Sequence, residues 1–89
     1  MNASDLIREF CETNADKYSV YDNYFGRFRF GAKCMGIVVR QGNSYMEMIM
    51  HLTKFLDAKD YIDEELLFEG VSIDELGMDS IVYFPKIQS

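Results

Sequence analysis

Apolar residues recur at a three-to-four spacing from the start of the chain. Leu6, Ile7, Phe10 and Cys11 share one side of a helical wheel and Arg8, Glu9 and Glu12 the other, with Asn2 or Ser4 placed to cap the first turn. This pattern predicts a helix that ends near Asn14. From Tyr18 the period drops to two. Residues 18–21 read as a strand, Asp22-Asn23 as a two-residue turn, and residues 24–30 as a second strand with Tyr24, Phe28 and Phe30 on one face and Arg27 and Arg29 on the other. Gly31-Ala32-Lys33 turns the chain again. Residues 35–40 hold Ile37-Val38-Val39, a β-branched run suited to a strand covered on both faces, in which Gly36 reads as a bulge. These three segments predict an antiparallel meander.

Gln41-Gly42-Asn43 is a loop, and Ser44 with Glu47 three residues on has the capping-box spacing of a second helix. Tyr45, Met48, Ile49, Leu52, Phe55 and Leu56 fall on one broad face of it, the core face. Asp60 is positioned to cap a short third helix running through Glu69 and ended by Gly70. Ile62, Leu66 and Leu67 would turn inward, and Asp63, Glu64 and Glu65 would lie near its positive end. Ser72 and Glu75 repeat the capping spacing for one last turn ending at Gly77. Residues 81–84 then read as a strand closed by Pro85, at an edge or at a strand end. The expected fold is therefore α+β: a small antiparallel sheet, the three-strand meander plus a C-terminal strand, packed on one face by an N-terminal helix and two later helices.

Composition adds constraints to this pattern. The 89 residues suit one domain, 1–89, and 48% of them are hydrophobic, with six Tyr and seven Phe. Such large rings bury ~150–250 Å² each, so a packed core is expected rather than disorder. No apolar run has the length of a signal or a membrane span, which predicts a cytoplasmic protein with no membrane partner. Cys11 and Cys34 are then thiols acting as small apolar residues, a disulfide between them being the alternative.

Charge is distributed unevenly. Residues 57–89 carry nine carboxylates and two lysines, a segment charge of −7, whereas residues 1–56 carry seven bases and six acids. The net charge of −6 thus comes from the last third of the chain. One-sided negative charge steers cationic partners and repels polyanions, so a direct nucleic-acid partner is not expected despite the arginines of the meander. Chemistry is sparse. His51, the single histidine, lies on the polar side of its helix with Glu47 and Lys54 and reads as a solvated residue. The cysteines and His51 lack zinc spacing, the acidic block lacks the alternating ligands and central Gly of a calcium loop, and no glycine-rich phosphate loop precedes a helix. No catalytic residue, metal or cofactor is expected, and the chain does not read as an enzyme.

Two strings resemble known families. Leu76-Gly77-Met78-Asp79-Ser80-Ile81 resembles the phosphopantetheine-attachment motif of acyl carrier proteins, with Ser80 as the modified residue. In that family a long helix follows the serine; here a strand pattern follows, which argues against a carrier. The opening Met1-Asn2 and Asp5-Leu6-Ile7-Arg8-Glu9 resembles the start of small acidic phage-encoded anti-CRISPR proteins that inhibit Cas9, and the length and acidic C-terminal region agree. The resemblance implies a class: small inhibitors, within the host cytoplasm if phage-encoded, that block a nucleic-acid-handling enzyme by presenting carboxylates in place of DNA phosphates. No contact residue carries over one by one.

The charge pattern gives candidates of its own. Asp60, Asp63, Glu64, Glu65, Glu69, Asp74, Glu75 and Asp79 would form the anionic surface, with Tyr61 and Phe68 as aromatic anchors against a protein target that has a basic nucleic-acid-binding surface. The alternatives are a toxin-immunity or antitoxin protein, and an assembly subunit that forms a homodimer through Met46, Met50 and a sheet edge.

Overall fold

The structure is a computed structural model that describes residues 2–21 and 34–87. Helix α1 (Ala3–Thr13) begins where Asn2 accepts the Asp5 N–H on its Oδ1 at 2.9 Å. It ends at Asn14, whose backbone N–H donates to the Cys11 carbonyl and whose side-chain amide donates to that of Phe10. Two last-turn carbonyls are thereby satisfied. Ala3, Leu6, Ile7, Phe10 and Cys11 form the buried stripe. Helix α2 (Tyr45–Ala58) starts at Ser44, whose Oγ accepts from the Met46 and Glu47 N–H groups, and it buries Met48, Leu52 and Leu56.

Strands β1 (Tyr18–Tyr21) and β2 (Met35–Val39), the short helix α3 (Glu64–Phe68), and strands β3 (Ser72–Leu76) and β4 (Asp79–Phe84) complete the order α1-β1-β2-α2-α3-β3-β4. The four strands form one antiparallel sheet in the order β1-β2-β4-β3. Tyr18, Met35, Ile37, Val39, Val82 and Phe84 face all three helices in a single core, so the α+β class with helices on one face is as expected. On the other face Cys34, Ile81 and Tyr83 gather with Tyr21 and Val38. That second cluster is why residues 37–39 show no polar alternation.

Other expectations need correction or fall elsewhere. The strand expected at 24–30 lies outside the described residues. Residues 18–21 and 35–39 pair directly with one another, Tyr18 opposite Val39 and Tyr21 opposite Gly36. The segment Ser72–Leu76 is a strand, not a capped helical turn. An isolated turn fixes several dihedrals for one hydrogen bond, whereas these residues pair along β4 from Ser72 opposite Tyr83 to Leu76 opposite Asp79. Gly77-Met78 closes this hairpin, with Gly77 at φ +62 as the first central position of a II′-type turn requires. The string that resembles a carrier motif is thus a hairpin turn. Strand β4 is central rather than at an edge, and Pro85 comes just past its end, where no ladder donor is lost.

The aromatic rings of the core join its layers. Phe10 of α1 stacks on Tyr18 of β1 at 5.4 Å between centroids and meets Phe55 of α2 edge-on at 5.5 Å. Tyr18 is 1% exposed, and its hydroxyl lies 3.3 Å from His51 Nδ1. His51 is therefore half-buried rather than solvated, because a buried tyrosine hydroxyl needs a partner and α2 carries this one across β1.

Gly36 is not at a bulge, since the register runs through it without a break to Tyr21 and Tyr83. Close approach explains the residue instead. A Cβ there would stand 3.1 Å from the Val82 carbonyl oxygen and 3.3 Å from Ile81 Cγ2. Gly36→Ala is expected to destabilise the fold by about 1–3 kcal/mol through overpacking of the sheet's two middle strands, measured by urea unfolding. Tyr18→Phe, which removes only the hydroxyl, is expected to cost ~1 kcal/mol in the same measurement.

Candidate functional site

The acidic segment begins at the C-terminal end of α2. There the Asp60 N–H donates to the Asp57 carbonyl at 3.1 Å and the Tyr61 N–H to the Leu56 carbonyl at 3.0 Å. This is the hydrogen-bond pair of a Schellman motif, and Asp60 takes the left-handed position at φ +56 that Gly usually fills. Asp60 therefore terminates α2 and does not cap α3. Asp63 holds the N-cap position of α3 without a side-chain cap bond. The helix is five residues long and buries only Leu67.

That short length overturns the expected packing of its neighbours. Ile62 precedes the helix and is 90% exposed, and Leu66 is 51% exposed, although both were expected inward. A helix of little more than one turn has room for one core-facing position, and Leu67 occupies it. Tyr61 and Phe68 are half-buried and pack against the core, Phe68 on Phe84 at 6.2 Å between centroids. Their rings fasten the segment and show only part of their surface to solvent.

The eight expected acids do not form one patch. Asp60, Asp63, Glu65 and Glu69 are exposed, as are Ile62 and Leu66, and Glu65, Leu66, Phe68 and Glu69 line a shallow groove. Asp57 is also exposed. Glu64 is half-buried beside Asp57, with its Oε1 shielded from water and lacking a hydrogen-bond partner. Its carboxyl titrates above the ordinary glutamate range because it hydrogen-bonds with Asp57, with partial desolvation and the Asp57 charge acting the same way. The remaining three belong to the β3–β4 hairpin. Asp74 and Glu75, adjacent on a strand, point to opposite faces of the sheet, Asp74 on the Ile81 face. Asp79 Oδ1 accepts the Gln41 N–H at 2.8 Å and so tethers the loop before α2. From Asp79 to Phe84, where α3 packs, β4 extends about 17 Å at ~3.3 Å per residue.

Lys59 is the single base between residues 57 and 69, and it is already engaged. Its Nζ lies 3.1 Å from Glu9 Oε1 and 5.4 Å from the centre of the Phe55 ring. The pair ties the end of α2 to α1. Among the described residues no group of three or more His, Cys, Asp and Glu is placed to hold a metal ion. Sequence periodicity marked the acids but not the exposed Ile62 and Leu66, nor the Asp57–Glu64 contact. That contact spans a helix end and has no local signature.

Comparison with protein-family models, curated proteins and solved structures gives no match. Among the described residues no helix is long and apolar enough to cross a membrane.

The Asp57–Glu64 contact has a definite pH sign. The folded-state pKa of Glu64 is raised, so its contribution to stability is fully present below the ordinary glutamate value of 4.5 and is lost as pH rises through the folded value. Glu64→Gln supplies a permanent donor to Asp57. It is expected to raise the melting temperature at pH 7 and to leave it nearly unchanged at pH 4, in thermal unfolding followed by circular dichroism.

Proposed function

We propose that this chain is a small inhibitory binding protein, not an enzyme, that occupies the basic nucleic-acid-binding surface of a target protein with the acidic end formed by α3 and the close of α2. The observation that carries this reading is the pair Ile62 and Leu66, exposed in a segment whose Asp60, Asp63, Glu65 and Glu69 are exposed as well, with Glu65 and Glu69 lining a groove beside Leu66. An apolar centre with a charged rim is the anatomy of a protein–protein interface. Negative charge of this density repels nucleic acid and favours a protein built to bind it. Spaced carboxylates reproduce part of the field of a phosphate backbone, and the two apolar side chains supply contact area that phosphates lack. The anti-CRISPR resemblance of the first helix agrees with this class, and Glu9 of that helix engages Lys59.

The β3–β4 carboxylates stand outside this surface in the proposal. Asp79 holds a loop, and Asp74 and Glu75 diverge. A second reading, a homodimeric assembly subunit, draws on Met46 at 68%, Met50 at 49% and Tyr45 at 38% exposure along α2.

The test is capture from bacterial lysate on the immobilised chain. The wild type is expected to retain a nucleic-acid-binding enzyme that duplex DNA and added salt both displace. The fourfold variant Asp60→Asn, Asp63→Asn, Glu65→Gln, Glu69→Gln is expected to retain on the order of tenfold less or lower, whereas Asp74→Asn with Glu75→Gln retains it fully. Equal capture by the fourfold variant overturns the proposal. Displacement by salt but not by DNA points instead to an immunity protein, and a concentration-dependent mass without a captured partner to the dimer.

A further inference from the structure

Helix α2 turns a mixed face outward. Met48, Leu52 and Leu56 are buried beneath it, while Met46, Glu47, Met50, Lys54 and Asp57 are exposed. At ~100° per residue these five fall within one stripe roughly 100° wide. Met46, Met50 and Asp57 run along one side of the stripe, and Glu47 and Lys54 along the other. Thr53 borders the methionine side, with its hydroxyl satisfied by the Ile49 carbonyl at 2.8 Å. His51 stays off the stripe, because its ring turns to the hydroxyl of buried Tyr18. Two thioethers one turn apart on a capped helix are adaptable apolar contact groups left in water.

The charges on the stripe are mixed. Lys59, just past the helix, is bound to Glu9, and Asp57 lies against Glu64. Among the described residues Glu47 and Lys54 form no ion pair, and the charge of Glu47 otherwise reaches only the Tyr18 hydroxyl. A polyanion on this face would be repelled by Glu47 and Asp57, and a polycation by Lys54. A second copy of the chain can answer each of the three charges.

We propose that this stripe is a homodimer interface, in which α2 packs antiparallel on α2 of a second copy about a two-fold axis level with Met50 and His51. In that register Glu47 of each copy meets Lys54 of the other. Met50 meets its own mate beside the axis, and Met46 lies over Thr53 of the second copy. Asp57 comes beside the first turn of the other α2, the positive end of that helix. A parallel pairing would instead set Glu47 on Glu47 and Asp57 on Asp57, so charge selects the antiparallel direction. Two helices of 14 residues, each about 21 Å long, bury less than the ~1,200 Å² of a standard interface, which gives a weak dimer with a Kd on the order of 0.1 mM. This gives the dimer reading above a face and a direction. None of its residues is among the four acids replaced in the capture test, so the dimer and the inhibitory reading fail separately.

The test is sedimentation equilibrium from about 10 µM to about 1 mM, with the methionine methyl signals followed over the same range. The wild type is expected to pass from monomer to dimer. The methyls of Met46 and Met50 are expected to shift, while that of Met78, exposed on the β3–β4 turn, stays in place. Glu47→Lys and Lys54→Glu are each expected to weaken association on the order of tenfold, since each sets two like-charge contacts into the interface. Mixed in equal amounts, the two variants are expected to recover wild-type association, because each supplies the charge that the other lacks; this recovery also shows that both chains fold. A wild type that stays monomeric, single variants that associate like the wild type, a mixture that does not recover, or shifts at Met78 in place of Met46 and Met50 would each overturn the pairing.

Discussion

Strand β4 is the constraint on which the rest of the molecule depends. It is hydrogen-bonded to β2 on one side and β3 on the other, with Val82 and Phe84 buried against the helices and Ile81 and Tyr83 buried on the opposite face. Its backbone is therefore committed along both edges and its side chains on both faces. Everything that bears charge must attach at its ends or beyond its neighbours. At one end Phe84 receives Phe68, and a Cβ on Gly70 would come within 3.2 Å of Pro85. At the other end Asp79 holds the loop before α2. The acidic third of the chain is consequently drawn apart. One group gathers where α2 meets α3, and the other lies along the hairpin with its members on different sides.

What the sequence disclosed was mostly local. Asn2 and Ser44 accept the first-turn N–H groups that their positions predict, and the apolar stripe of α1 is buried, as are Met48, Leu52 and Leu56 of α2, whereas Tyr45, expected on the core face in the first turn of α2, is exposed. These helices are long enough for periodicity to average over several turns. The failures occur where a distant partner decides. Ser72 and Glu75 have a capping-box spacing, yet five residues of β4 offer their backbone a full ladder. Asp60 is a favoured N-cap residue type, but Asp also tolerates the left-handed position, and the Leu56 carbonyl needed a donor from beyond it. Ile62 read as inward because a helix was extended back to include it. Once α3 begins at Glu64 that phase no longer applies.

The same reasoning separates the two parts of the candidate site. Composition showed that residues 57–89 are acidic, and this did not require a structure. Whether the acids cooperate depends on strand alternation and on hydrogen bonds across the chain. Alternation sends Asp74 and Glu75 to opposite faces, while Glu64 lies against Asp57 where the start of α3 meets the end of α2. The Glu9–Lys59 pair then engages the one base that the sequence places between residues 57 and 69. At an exposed site such a pair contributes little to stability. Its effect on the surface field is larger, because an unengaged Lys59 could swing toward Asp60 or Asp63.

How firmly α3 is held determines how prepared that surface is. Five residues cannot sustain a helix in water by themselves, so α3 persists through tertiary contacts: Leu67 in the core, Phe68 on Phe84, and Tyr61 packed at the entrance. Against these works the crowding of Asp57 and Glu64, which grows once both are ionised. The element that presents Ile62 and Leu66 is thus anchored by few groups and opposed by like charge, which places it at the low end of local stability. A cationic partner surface would act on both terms. It would cover the two apolar side chains and offset the repulsion between the carboxylates, so that docking of the partner and docking of α3 favour one another. The coupling follows from the same two features that define the surface, and under the proposed function it would make the acidic end most ordered once a partner covers it.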